Sequence, residues 1–314
     1  MRSLAFARKL IFSAATAIAI SLLCFLIIYN SPGDPAELLL RAKNPAGALH
    51  QQAVEGFGAS LGTDQGFFPL YFNWLAGALV GDFGISYKTG IPVIDEFGSR
   101  IGVTLSLVLA TLVFATVLGL VLGFLSAKYH NRAIDSVARF LSVFNLSAPS
   151  FWVALLLLWV FSAKLKLVPP FGYNGAESLI LPTIAMGLSY SGSIQRVTRV
   201  NVLDSYAKEY VLTARAKGLS EGTILVRHVL KNVMTPVLTI VGTNFSNLLG
   251  GTIIIENIFG LPGIGNYLVT AIGVKDYPAI LGFVFLFSVM VIVMNLLIDV
   301  LYRVVDPRVG QVAQ

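Results

Sequence analysis

Six apolar runs, each close to the length a helix needs to cross a bilayer, constrain this chain more than any other feature. They cover residues 10–29, 101–127, 140–163, 179–194, 233–258 and 279–301, where one crossing takes roughly 20 apolar residues. The fourth is the shortest and carries Ser and Gly. In hydrocarbon every backbone amide must be paired within the chain, so only helices or closed barrels span it. Long unbroken apolar stretches without a two-residue alternation exclude a barrel. The expected fold class is therefore all-α: a polytopic membrane protein with about six transmembrane helices. Of the 314 residues, 56% are hydrophobic and 12% charged, about half the charged share of an ordinary soluble domain.

Arg8 and Lys9 precede the first run as they would in a signal peptide. The run is too long for one, and no small-x-small cleavage site precedes Ser31, so it reads as a retained span. Cys24 is the only cysteine. It excludes an internal disulfide and cannot by itself build a zinc cage or a thiol redox pair.

The formal net charge of +6 points to topology rather than to nucleic acid. Six spans put 15 of the 22 Lys and Arg on one side: before the first run, between the second and third, between the fourth and fifth, and after the sixth. The positive-inside rule then places both termini in the cytoplasm.

The segment 30–100 on the opposite side opens with Ser31-Pro32-Gly33-Asp34-Pro35, a helix stop. Stretches near 36–41 and 71–80 are expected to be short interfacial helices, with Tyr71, Phe72 and Trp74 suited to a headgroup belt. Pro149, inside the third run, is expected to kink that span. One membrane domain, residues 1–314, accounts for the whole chain.

The cytoplasmic stretch 195–232 carries the sharpest local signal. Tyr206 to Lys217 reads as a short helix, with Gly218 suited to its C-terminal stop. Ser220 suits the cap of the next helix, with Glu221 in its first turn. A long loop with helical pattern and a glycine-turned elbow points to docking on a partner.

This stretch resembles the coupling loop, the EAA loop, of bacterial binding-protein-dependent ABC importers. Ala214, Gly218 and Pro236 stand at the family spacing, while Leu212-Thr213 replaces the leading Glu-Ala and Lys231 replaces a proline. Those departures, and the run Thr213-Ala214-Arg215-Ala216-Lys217-Gly218-Leu219, resemble the dipeptide/oligopeptide/nickel branch. Gly33-Asp34-Pro35-Ala36, Gly81-Asp82-Phe83-Gly84, Gly250 to Phe259, Pro262-Gly263-Ile264-Gly265, Asp276-Tyr277-Pro278 and Asp306-Pro307-Arg308 resemble it too. The ordered set covers nearly the full length and is closest to the first of the two paired permeases in such systems.

The resemblance implies a type I ABC importer permease fold, with residues 30–100 as a periplasmic loop. It implies as partners a second homologous permease, two ATP-binding subunits and an extracytoplasmic solute-binding protein. It also implies that Ala214, Ala216, Lys217, Gly218, Leu219 and Pro236 couple the chain to the ATPase. No Gly-x-x-x-x-Gly-Lys-Ser/Thr occurs in the chain, so it has no phosphate-cradling loop of its own. No catalytic residue, metal ligand set or cofactor is expected. The implied cargo is nickel, a metal chelate or short peptides.

Polar residues within the runs are function candidates, because a charge at the bilayer centre costs about 2.5–3.5 kcal/mol on insertion scales. Glu256 lies near the end of the fifth run, with Asn244 and Asn247 deeper and three apart on one helix face. These three are candidate pathway residues; Asn244 and Asn247 serve equally well as glue between helices. Asp299 is placed to pair with Arg303 one turn on. The three histidines, His50, His130 and His228, all fall in loops and form no ligand cluster. An ion-coupled secondary transporter is the alternative; it calls for midplane carboxylates and inverted repeats.

Overall fold

The computed structural model describes residues 2–30 and 66–305. The helix expected near 36–41, His50, the Gly33–Ala36 and Asp306–Arg308 motifs, and the side chains of Asp299 and Arg303 lie outside the described residues. The helices are α1 (Arg2–Tyr29), α2 (Phe67–Leu79), α3 (Val93–Lys128), α4 (Ala133–Ser147), α5 (Ser150–Leu157), α6 (Ile180–Tyr206), α7 (Glu209–Ala216), α8 (Glu221–Ile224), α9 (Leu230–Phe259), α10 (Ile264–Gly273) and α11 (Tyr277–Val305). π-helical turns continue α5 over Leu158–Lys164 and join α8 to α9 over Leu225–Val229. No strand occurs among the described residues. The chain divides into two compact units, Met1–Gly102 with Gly263–Val293 and Val103–Pro262 with Met294–Gln314.

The first unit is built on aromatic packing. Phe25 of α1 meets Tyr71 and Phe67 of α2 edge to face, with ring centroids 5.4 and 5.6 Å apart. Such pairs add about 0.5–1.5 kcal/mol beyond area burial. Tyr71 is buried, and its hydroxyl pairs with Ser21 Oγ at 3.0 Å.

Two motifs far apart in sequence meet in this unit. The buried Asp276 carboxylate accepts hydrogen bonds from Ser86 Oγ and from the Tyr87 and Lys88 amides, the last two at 3.0 and 3.1 Å. Tyr267 donates its hydroxyl to Ser86 Oγ at 2.9 Å. Burial, with the Asp276 carboxylate adding to it, pushes the Tyr87 phenol up to about 12. Three donors on one carboxylate fix the segment after Gly84 to the start of α11.

The second unit centres on α6. Gly119 and Gly123 of α3, four apart, let that helix lie directly on it. A Cβ at Gly123 would stand 2.5 Å from Thr198 Cβ, and one at Gly119 would stand 2.7 Å from Ile194 Cβ. Small residues at this spacing permit helix backbones to approach closely within a membrane. On another side of α6, Ser142 Oγ of α4 donates to the Gly192 carbonyl at 2.9 Å.

By length and composition four helices qualify as crossings: Ile11–Tyr29, Val93–Lys128, Glu221–Phe259 and Tyr277–Ile298. α4 and α5 make a fifth if counted together, bent by 102°. The bend falls at Pro149, where Ala148 is extended with ψ of 124°, as a residue preceding proline is pushed to be. α6 is the fourth of the six expected spans. Its 27 residues are long enough to cross, but its polar residues, among them Gln195, Arg196 and Arg199, keep it out of the apolar class. Part of that polarity faces inward: Ser191, Gly192 and Gln195 are buried.

Candidate functional site

Turn chemistry builds the elbow between α7 and α8. Gly218 has φ of +76°, a left-handed conformation that costs other residues roughly 1–2 kcal/mol. Its amide donates to the Arg215 carbonyl at 2.9 Å, and the Leu219 amide donates to the Ala214 carbonyl at 3.2 Å. These two bonds are the Schellman stop expected of a glycine at this position. Ser220 then caps α8, its Oγ accepting from the Thr223 amide at 3.4 Å. Across the turn Arg215 donates to both Glu221 carboxylate oxygens, at 2.7 and 3.2 Å.

The elbow has a closed side and an open one. Val211, Ala214 and Ile224 are buried in a core shared with Ile194 and Val202 of α6 and Val229, Val233 and Val237 from the α9 side. Asn232 Nδ2 donates back to the Tyr210 hydroxyl at 3.0 Å. Ala216, Lys217, Gly218 and Leu219 are exposed, beside Leu212 and Val226, which are 57% and 66% exposed. Of the six expected coupling residues, four therefore share the open tip. Ala214 lies in the core beneath it, and Pro236 lies within α9.

α9 also has two sides. Asn244 is buried and donates Nδ2 to Ser193 Oγ of α6 at 3.2 Å. Glu256 is fully buried and accepts from Thr104 Oγ1 of α3 at 2.6 Å. Asn247, by contrast, is exposed, in line with Thr239, Thr243, Gly250 and Ile254. The Thr239 and Thr243 hydroxyls donate to the carbonyls four residues back, both at 3.1 Å. The three candidate pathway residues are thus separated: two sit inside the helix packing and one on the open face. Sequence reasoning passed over Thr239 and Thr243, although the four-residue steps from Thr239 through Thr243 to Asn247 were there to be read.

A second polar cluster was also missed. Asp135, at the start of α4 and fully buried, is gripped by Arg199 of α6: Nε donates to Oδ1 and Nη2 to Oδ2, both at 2.8 Å. Ser126 Oγ and the Asn131 amide also donate to it. Asp135 is the only acidic residue between Lys128 and Arg139, which was the available signal. Among the described residues no group of three or more His, Cys, Asp and Glu is arranged to hold a metal ion.

Residues 119–311 match the family of binding-protein-dependent transport system inner membrane components. The chain belongs to that family. Full-length similarity agrees. It is 35% identical over 302 residues to the glutathione transport system permease protein GsiC of Escherichia coli K12, covering 96% of this chain and 97% of that one. The GsiC of Shigella dysenteriae serotype 1 matches to the same extent.

Solved structures share the fold. An inward-facing conformation of the MetNI methionine ABC transporter superposes with a TM-score of 0.55 at 15% identity, over 67% of this chain and 96% of that one. An amino acid ABC transporter crystallised with histidines gives 0.53 at 14% identity, over 67% and 94%. The fold is thus the type I importer permease fold, and the chain is a membrane permease subunit of the dipeptide/oligopeptide/nickel kind. It is not an enzyme; ATP hydrolysis belongs to a partner, and a solute-binding protein belongs to such systems in general.

Proposed function

We propose that this permease imports short peptides of about the size of glutathione, and that the open tip of the elbow is where a partner ATPase drives it. The observation that carries the reading is the pairing of an exposed tip, Ala216 to Leu219, with a buried base, Val211, Ala214 and Ile224. A rigid, partly apolar protrusion transmits a push, where a solvated loop would absorb it. In this reading Ala216, Lys217, Gly218 and Leu219 touch the ATPase, Ala214 holds the tip to α6, and Pro236 marks where α9 gives.

Asn247, Thr239 and Thr243 form the pathway lining. Their groups are polar and lie on a long, apolar crossing helix, so lipid is a poor neighbour for them and a water-filled passage a good one. Asn244 and Glu256 act as packing residues behind that lining. Neutral hydroxyl and amide groups suit a zwitterionic peptide passing through many weak contacts. The similarity to glutathione permeases over 96% of the chain supports the same cargo class, whereas nickel and nickel chelates rest on motif wording alone.

The clustering of basic residues puts the elbow and both termini in the cytoplasm. The assembly is this permease, a second homologous one, two ATP-binding subunits and an extracytoplasmic binding protein. The test is uptake of labelled glutathione, a labelled dipeptide and radioactive nickel by cells lacking the chain and by cells with it restored. Peptide or glutathione uptake that falls on deletion and returns on restoration supports the reading. Loss confined to nickel would replace the cargo and leave the importer assignment standing.

A further inference from the structure

We infer that the Asp135–Arg199 clasp is a positioning element for energy coupling, holding α6 to the α3–α4 turn so that a push on the elbow moves these helices as one body. The inference rests on the reading of residues 216–219 as the ATPase contact.

The carboxylate ties together three helices and a turn of the second unit. Ser126 comes from the end of α3, Asn131 from the turn, Asp135 itself from the first turn of α4 and Arg199 from α6. The Arg199 contact is a two-pronged fork, which fixes orientation as well as distance. His130 Nδ1 lies 3.0 Å from Arg199 Nη2, and Arg139 Nε lies 3.6 Å from Asp135 Oδ1. Arg199 precedes Val202 by three residues, so both lie on one stretch of α6, and Val202 packs in the same core as Val211, Ala214 and Ile224 of the elbow.

The Asp135–Arg199 pair, with the carboxylate fully buried and the guanidinium 15% exposed, joins α4 to the stretch of α6 whose Val202 packs against the elbow base. Apolar contacts in the shared core tolerate sliding. A bidentate ion pair on a fully buried carboxylate does not, because displacement would leave the Asp135 charge buried without its partner. Rigid-body motion requires such a joint where the driven element meets the rest of the helix layer.

The test uses the assembled transporter, reconstituted with its ATPase partners and binding protein in liposomes, with glutathione as cargo. The variants are Asp135→Asn and the double variant Asp135→Asn/Arg199→Gln, which leaves no unpaired charge behind. Co-purified ATPase, ATP hydrolysis and cargo moved per ATP are measured for each. The expected result is normal co-purification, ATPase activity kept within about threefold, and cargo per ATP lowered about tenfold or more, a loss within the usual range for coupling between sites. Arg199→Lys, which keeps the charge and loses the fork, should fall between.

Unchanged cargo per ATP in the assembled double variant overturns the inference. So does failure of both variants to assemble, since the pair would then serve folding alone. Absence of ATPase from the unmodified chain would instead overturn the elbow reading on which the inference rests.

Discussion

The two sides of α9 carry the same kinds of residue to opposite ends. Asn244 and Asn247 are three residues apart on one helix. Asn244 is buried and bonded to Ser193 of α6, while Asn247 stands exposed in a row with Thr239 and Thr243. The elbow repeats the division on a smaller scale, with Ala214 in the core and Ala216 to Leu219 outside it. What differs is the neighbour, not the residue type. The closed sides meet α3 and α6 and hold the unit together; the open sides are exposed among the described residues.

The largest effect expected of a substitution on the closed side comes from Gly123→Leu. With a Cβ already 2.5 Å from Thr198 Cβ, α3 cannot rest on α6, and overpacking of this kind costs about 1–3 kcal/mol or more. The protein should be nearly absent from membranes by immunoblot. Gly250→Leu on the open face, with no atom of the described residues within 4 Å of its Cβ position, should accumulate normally. Equal loss of both would erase the distinction between the two sides.

Next comes Gly218→Asp. Aspartate is among the residues that visit the left-handed region most readily, so the elbow should persist while a negative charge is set on its tip. Transport should be abolished with membrane levels unchanged, measured as uptake against immunoblot. Normal uptake would remove the elbow from the coupling account.

Asn244→Leu should have a smaller and purely structural effect. Losing the bond to Ser193 costs about 0.5–1.5 kcal/mol, visible as a lower midpoint in thermal unfolding of the detergent-solubilised protein. Smallest in stability is Asn247→Leu, which should lie within about 0.5 kcal/mol of the parent. Its KM for cargo should instead rise about two- to tenfold, the worth of one hydrogen bond. A stability loss at Asn247 matching that at Asn244 would mean both are glue.

How much of this was legible in the sequence follows from the range of the forces involved. Gly218 and Ser220 act through bonds to residues within five positions, so the turn between α7 and α8 could be read directly. Pro149 likewise acts on its immediate neighbour, and the bend is where the proline is. The helices themselves were legible because spanning lipid demands long apolar runs, although α6 shows that a helix buried among others can trade apolarity for small polar residues.

The sidedness of α9 was not legible. Asn244 and Asn247 lie close enough on the helix surface to share a face by spacing alone, and only the position of α6 decides which one is covered. Asp135 was hidden for a different reason: a lone carboxylate in a basic loop reads as a solvated charge until Arg199, 64 residues on, is brought against it.

Accessibility of the two asparagines tests the account most directly. Cys24 is the only native cysteine, so Cys24→Ser gives a background on which Asn244→Cys and Asn247→Cys can each be probed with a charged, membrane-impermeant methanethiosulfonate reagent in the assembled transporter. The account predicts rapid modification at position 247, slowed by glutathione or the transported peptide, and none at position 244. Modification of both at similar rates, or of 244 alone, would contradict it.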